Sequence, residues 1–115
     1  MMIFNPGDIV VVPFPFVDKA RSKPRPALVL SAADFNQEGL IVLSMITSVH
    51  QFAHPFDIAL KDLTTTGLKT PSVIRWKIFS LDCPLIKKKI GTLSNRDKIT
   101  CAQVMKTIFP NNSSV

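Results

Sequence analysis

Leu40-Ile41-Val42-Leu43-Ser44-Met45-Ile46-Thr47 is an eight-residue run broken by a single serine before its terminal threonine. A run of this length, so apolar and rich in β-branched residues, reads as a strand buried on both faces. Upstream, Ala32 to Gln37 reads as one helical turn closed by Gly39. Before it, Pro26-Ala27-Leu28-Val29-Leu30-Ser31 is a second strand. Asp8-Ile9-Val10-Val11-Val12-Pro13-Phe14 is a third, introduced by the Pro6-Gly7 turn signal. Pro13 and Pro15 lack ladder donors, so that strand ends or lies at an edge there. The intervening Val17-Asp18-Lys19-Ala20-Arg21-Ser22-Lys23-Pro24-Arg25 is a polar loop with four cations and one anion.

Downstream, a loop runs through His50 and His54 to Phe56-Asp57-Ile58-Ala59-Leu60, which alternates as a half-buried strand does. Leu63 to Thr70 is turn-rich, and Ser72-Val73-Ile74-Arg75-Trp76 is a further strand. Leu85-Ile86-Lys87-Lys88-Lys89-Ile90-Gly91 reads as a short edge strand, because lysines protect an edge from pairing with other chains. Ser94-Asn95-Arg96-Asp97 resembles a capping box with Asp97 in place of Glu or Gln. Ile99, Ala102, Met105, Ile108 and Phe109 then recur every three or four residues, the apolar face of a terminal helix that Pro110 stops. These elements predict a mainly β protein, a small barrel or half-open sheet capped by that helix. One domain spans 1–115, with a core of about residues 5–109 and a frayed tail at 110–115.

The 115 residues are 46% hydrophobic and 19% charged, which excludes a mainly disordered chain. No apolar run reaches the roughly 18 to 20 residues of a membrane-spanning helix. The opening Met1-Met2-Ile3-Phe4-Asn5-Pro6-Gly7-Asp8 has no basic region and breaks at Pro6-Gly7, unlike a signal peptide. A soluble, cytoplasmic protein that does not engage membranes is the expectation. The formal net charge is +6, and it is uneven: residues 1–57 hold four basic and five acidic side chains, residues 58–115 ten and three. A basic domain of this size meets a polyanion, or else carries the charge for solubility alone.

No phosphate-binding loop, dinucleotide fingerprint or G-x-S-x-G elbow is present. Glu38 is the sole glutamate and no close carboxylate pair stands out, which argues against glycosidase and two-metal chemistry. Cys83 and Cys101 form no C-x-x-C, and His50 and His54 belong to no metal motif, so neither a metal nor another cofactor is expected. What remains is cationic and hydroxylic. Arg25 lies between Pro24 and Pro26, which stiffen the chain as a loop enters a strand. Ile46-Thr47-Ser48 places two hydroxyls where an apolar strand ends. Taken alone, these are equally a loop arginine near a surface carboxylate and two turn hydroxyls.

Gly7-Asp8-Ile9-Val10, Phe14-Pro15-Phe16, Arg25-Pro26-Ala27-Leu28-Val29-Leu30-Ser31 and Ile46-Thr47-Ser48 occur in order, followed by Ser72-Val73-Ile74-Arg75, Phe79-Ser80-Leu81-Asp82 and Ile90-Gly91-Thr92-Leu93-Ser94. This ordered set resembles the PemK/MazF family of toxins from type II toxin–antitoxin systems over roughly residues 5 to 109. The resemblance implies an SH3-like β-barrel with a C-terminal helix, usually a homodimer, bound by a cognate acidic antitoxin. It also implies a metal-independent endoribonuclease that cleaves single-stranded RNA at short sequences and so inhibits translation and growth. In that chemistry the RNA 2′-hydroxyl attacks the adjacent phosphate and leaves a 2′,3′-cyclic phosphate.

The family's arginine and threonine map to Arg25 and Thr47, with Ser48 and Arg75 as possible further participants. A guanidinium offers paired donors to phosphoryl oxygens at any working pH, and a threonine hydroxyl adds one more donor. Arg75 is equally readable as half of a surface salt bridge. Lys19, Arg21, Lys23 and Lys77 are the candidate RNA-binding cations. Several relatives carry a His or Glu in the loop before the R-P motif, or an Asp two residues after the second arginine. Here Asp18 to Pro24 has neither, and Lys77 stands at the second position. Asp18, His50 and His54 are the remaining candidates for proton transfer, His54 because the unperturbed pKa of an imidazole, about 6.5, suits that task. Its alternative is a loop histidine touching solvent or backbone. Two other functions share the fold: a gyrase poison acting through the terminal helix, and a barrel that holds RNA or a peptide without cutting.

Overall fold

Nine residues, Leu40–Ser48, form the strand on which the molecule is assembled. Its odd positions Ile41 and Leu43 pack with Phe4, Val10, Val12, Ala27, Val29 and Phe79 on one face. On the other, Ile46 packs with Ile9, Leu28, Ile58, Ile74, Leu93 and Cys101. The run buried on both faces is therefore a central strand, and each fully buried Ile or Leu contributes roughly 1.5–3 kcal/mol of transfer free energy.

The computed structural model describes residues 3–13, 23–48 and 53–110. In chain order these are β1 (Asp8–Pro13), β2 (Pro24–Val29), α1 (Ala33–Asn36), β3 (Leu40–Ser48), β4 (Ile58–Ala59), β5 (Ser72–Asp82), a 3-10 turn at Cys83–Leu85, β6 (Lys88–Thr92) and α2 (Asn95–Ile108). The strands form one antiparallel sheet in the order β4-β5-β3-β2-β1-β6. It curls into a half-barrel, mainly β with a C-terminal helix, as the sequence predicts. The segment between β4 and β5 crosses to the far edge: Thr92 N donates to Thr65 O at 2.9 Å. Two glycines permit that approach. A Cβ on Gly91 would collide with Thr65 O and the Thr66 carbonyl, and one on Gly67, at φ +77°, with Ile90 O.

Several expectations need correction. β2 begins at Pro24, so Arg25 lies within a strand and not in a loop. The strand predicted over 56–60 is only Ile58–Ala59, because Asp57 and the turn before it bond to one another and to β5. β5 continues past Trp76 to Asp82, and its irregular register against β3 hides that continuation from simple alternation. The edge strand begins at Lys88, since Cys83–Leu85 is a turn around Pro84. The buried face of the helix is shifted from the predicted one, although Met105 packs as expected. Asp97 and Cys101 are buried and Val104 and Met105 pack on the sheet, whereas Ile99 is 61% and Phe109 51% exposed.

The capping box is half made. Asp97 N donates to Ser94 Oγ at 3.2 Å. The Asp97 carboxylate, 1% exposed, accepts from Lys61 N and Asp62 N instead of the cap's own N–H. It thereby ties the helix start to the crossing segment. Asp18, Lys19, Arg21, His50 and the tail beyond Pro110 lie outside the described residues.

Candidate active site

Side chains alternate across a strand, so residues two apart share a face. Ala27 and Val29 of β2, and Leu43 and Met45 of β3, belong to one apolar face. Arg25 and Thr47 follow on that face by parity. The β2–β3 ladder runs to the pair Ala27↔Met45, and Arg25 and Thr47 each stand two residues further along. Thr47 is paired with Val73, and Val73 with Ala59. Arg25, Thr47, Val73 and Ala59 thus form a row over β2, β3, β5 and β4, where the apolar face gives way to polar groups.

Arg75 enters through the irregularity in β5. Ser44 is paired with Ile78, but the next residue, Met45, is paired with Arg75, leaving Trp76 and Lys77 as extra residues. The buried Ser44 hydroxyl donates to Arg75 O at 2.7 Å and fixes the backbone there. Trp76 Nε1 donates to Phe56 O at 2.9 Å and ties β5 to the turn before β4. A recess of about 540 Å³ lies against the β4–β5 side of this row, lined by Ala53, His54, Pro55, Asp57, Ala59, Val73 and Arg75; neither Arg25 nor Thr47 lines it. A second recess, of about 390 Å³, is lined by Ile3, Phe4, Asn36, Gln37, Gly39, Cys83, Pro84, Ile86, Lys87 and Lys88. It lies toward the opposite strand ends and holds no arginine, histidine or carboxylate.

The two arginines differ. Arg25 is half-buried, and its Nε is buried without a hydrogen-bond partner among the described residues. Arg75 grips Asp57 as a fork, Nε to Oδ1 at 3.2 Å and Nη2 to Oδ2 at 2.7 Å. That hydrogen bond holds the Asp57 carboxyl below the usual carboxylate range and raises the guanidinium above its own. Asp57 joins the candidate site through this pair, and the motif reading did not name it. Its signal was the polar position in Phe56-Asp57-Ile58, together with an arginine, Arg75, whose expected acid two residues on is replaced by Lys77.

His54 is exposed and lines the recess. Its Nδ1 accepts from Phe56 N at 3.3 Å. That bond ties the ring to the turn before β4 through one of its two nitrogens. Ser48 is half-buried at the end of β3 opposite Ser72. Lys23 and Lys77 are exposed, the first just before β2 and the second within β5. Among the described residues, no three His, Cys, Asp or Glu are grouped to hold a metal ion. No helix among them is long and apolar enough to cross a membrane.

The family described as PemK-like, MazF-like toxin of type II toxin-antitoxin system matches residues 5–109. The chain belongs to that family. Solved structures agree with its PemK/MazF-like fold. The MazF of Deinococcus radiodurans superposes with a TM-score of 0.74 at 21% identity, covering 96% of this chain and 100% of that one. A mycobacterial endoribonuclease in complex with its cognate antitoxin gives 0.71 at 16% identity, covering 93% of each chain. The toxin MazF-mt6 of Mycobacterium tuberculosis gives 0.69 at 18% identity, covering 89% of this chain and 95% of that one. None of the curated proteins compared with the chain matches it.

Proposed function

We propose that this toxin is a metal-independent endoribonuclease that cleaves single-stranded RNA at the Arg25–Thr47 end of the sheet. The observation that carries the reading is the buried Arg25 Nε without a partner among the described residues, on the same face and at the same end of the sheet as Thr47. A buried, unsatisfied donor on a charged group is costly, and a phosphate oxygen would satisfy it. RNA supplies the remaining chemistry. Its 2′-oxygen loses its proton and bonds to phosphorus as the bond to the 5′-oxygen breaks and that oxygen takes up a proton, giving a 2′,3′-cyclic phosphate and a 5′-hydroxyl. Charge builds on the phosphoryl oxygens meanwhile, where the Arg25 guanidinium and the Thr47 hydroxyl donate.

Family membership and the relatives described as endoribonucleases support this reading. By the same likeness, an acidic antitoxin restrains the toxin, a homodimer is the working form, and the cytoplasm, where mRNA is, is its place of action. The antitoxin and RNA would draw on the same cations, so they should compete, and both should weaken as salt rises. Incubating the purified protein with a long single-stranded RNA in excess EDTA tests the proposal. Discrete cuts support it. Binding without cutting would leave a barrel that holds RNA, and cutting only on added metal would overturn the mechanism.

A further inference from the structure

Asp57 closes the turn that leads into β4. His54 N donates to its Oδ2 at 3.0 Å, and Asp57 N donates back to His54 O at 3.0 Å. The Arg75 fork adds two bonds, with the Asp57 side chain 7% and the Arg75 side chain 17% exposed. Both partners are anchored independently, Arg75 through Ser44 and the turn through Trp76. The pair is therefore built into the wall of the recess and is not an incidental surface contact. A guanidinium grips phosphate with two parallel N–H donors. On Arg75, the Nε–Nη2 edge that could do so is occupied by a carboxylate of the same chain.

We infer that Asp57 is a positioning residue: it keeps that edge of Arg75 from phosphate, so that the scissile phosphate settles on Arg25 beside Thr47. This role presupposes that RNA is the substrate of the site. Released from Asp57, Arg75 would gain a phosphate contact in the ground state. Arg75 lines the recess and Arg25 and Thr47 do not, so a phosphate drawn onto Arg75 would sit off that pair, and tighter binding would come with slower turnover.

The test uses the full chain and two readouts. One is the affinity for a non-cleavable 2′-O-methyl oligoribonucleotide as salt is varied. The other is kcat and KM on the same sequence with 2′-hydroxyls. Asp57→Asn keeps the side chain's shape and one acceptor oxygen while removing the charge; Asp57→Ala removes both. Each should bind roughly tenfold tighter at low salt. Each should also show a salt slope steeper by about 0.7, one phosphate contact on a single strand. KM and kcat should fall together. Adding Arg75→Gln to Asp57→Asn should return the affinity and slope to the parent's. Asp34→Asn removes the same charge from α1 and should change neither.

A folded Asp57→Asn variant with the parent's affinity and slope would overturn the inference. So would tighter binding that persists without Arg75. A parent that binds the oligonucleotide but never cuts the 2′-hydroxyl form would defeat the nuclease reading, and the salt comparison would then decide the role of Asp57 on its own.

Discussion

Replacing Arg25 with methionine should stabilise the protein while abolishing RNA cleavage. The guanidinium lies within β2, and its Nε is buried without a partner among the described residues. Leaving a buried polar group unsatisfied costs about 1–3 kcal/mol, and more when it is charged. Methionine keeps an unbranched apolar stem of similar reach and removes the orphaned donor. Arg25 is only half-buried, so the lower end of that range applies: a gain of about 1 kcal/mol, or roughly 4 °C in Tm for a domain of this size. The assay pairs thermal and urea melts of parent and variant with cleavage of a single-stranded RNA. A Met variant less stable than the parent by more than about 1 kcal/mol would refute the reasoning. It would show that the guanidinium is satisfied in the resting protein, and a structural arginine would replace a phosphate ligand held in readiness.

Thr47→Val keeps the β-branched shape of a β3 residue and loses only the hydroxyl. The cleavage rate should fall by roughly 10²- to 10³-fold with RNA affinity unchanged, and an unchanged rate would make the hydroxyl structural. Asp97→Ala strands the N–H groups of Lys61 and Asp62 and removes a carboxylate from the first turn of α2, so the melt should show a loss of roughly 3 kcal/mol. A loss below about 1 kcal/mol would mean that water replaces the carboxylate. The Asp57 carboxyl is depressed by Arg75, so the pair's contribution to stability is present at neutral pH, above the unfolded carboxyl's ordinary value. It is lost as pH falls through the lower folded value. The Tm of the parent should therefore fall more steeply in acid than that of Asp57→Asn, and parallel curves would contradict the pairing.

The strands were legible where burial and chemistry coincide in one short window. β3 is apolar on both faces, and both faces are covered. The ordered R-P and T-S motifs marked two residues that the fold places at the same end of one sheet face. What the sequence concealed depends on partners far along the chain. The α2 face was read only in part, Met105 correctly, because its buried positions include Asp97, whose burial makes sense only with the Lys61 and Asp62 N–H groups in place. Asp57 was missed because its partner comes from another strand, and β5 reaches it only through the irregularity at Trp76 and Lys77. The crossing of 60–71 onto β6 was also hidden, since Gly67 and Gly91 record a close approach without naming what approaches.

The most direct test of the central claim is end-group analysis of RNA cut in excess EDTA by the parent and by Arg25→Met. The parent should leave 2′,3′-cyclic phosphate and 5′-hydroxyl ends at defined sites, and the folded variant should leave the RNA intact. Products bearing 5′-phosphates, or equal cutting by both proteins, would contradict a nuclease built on Arg25.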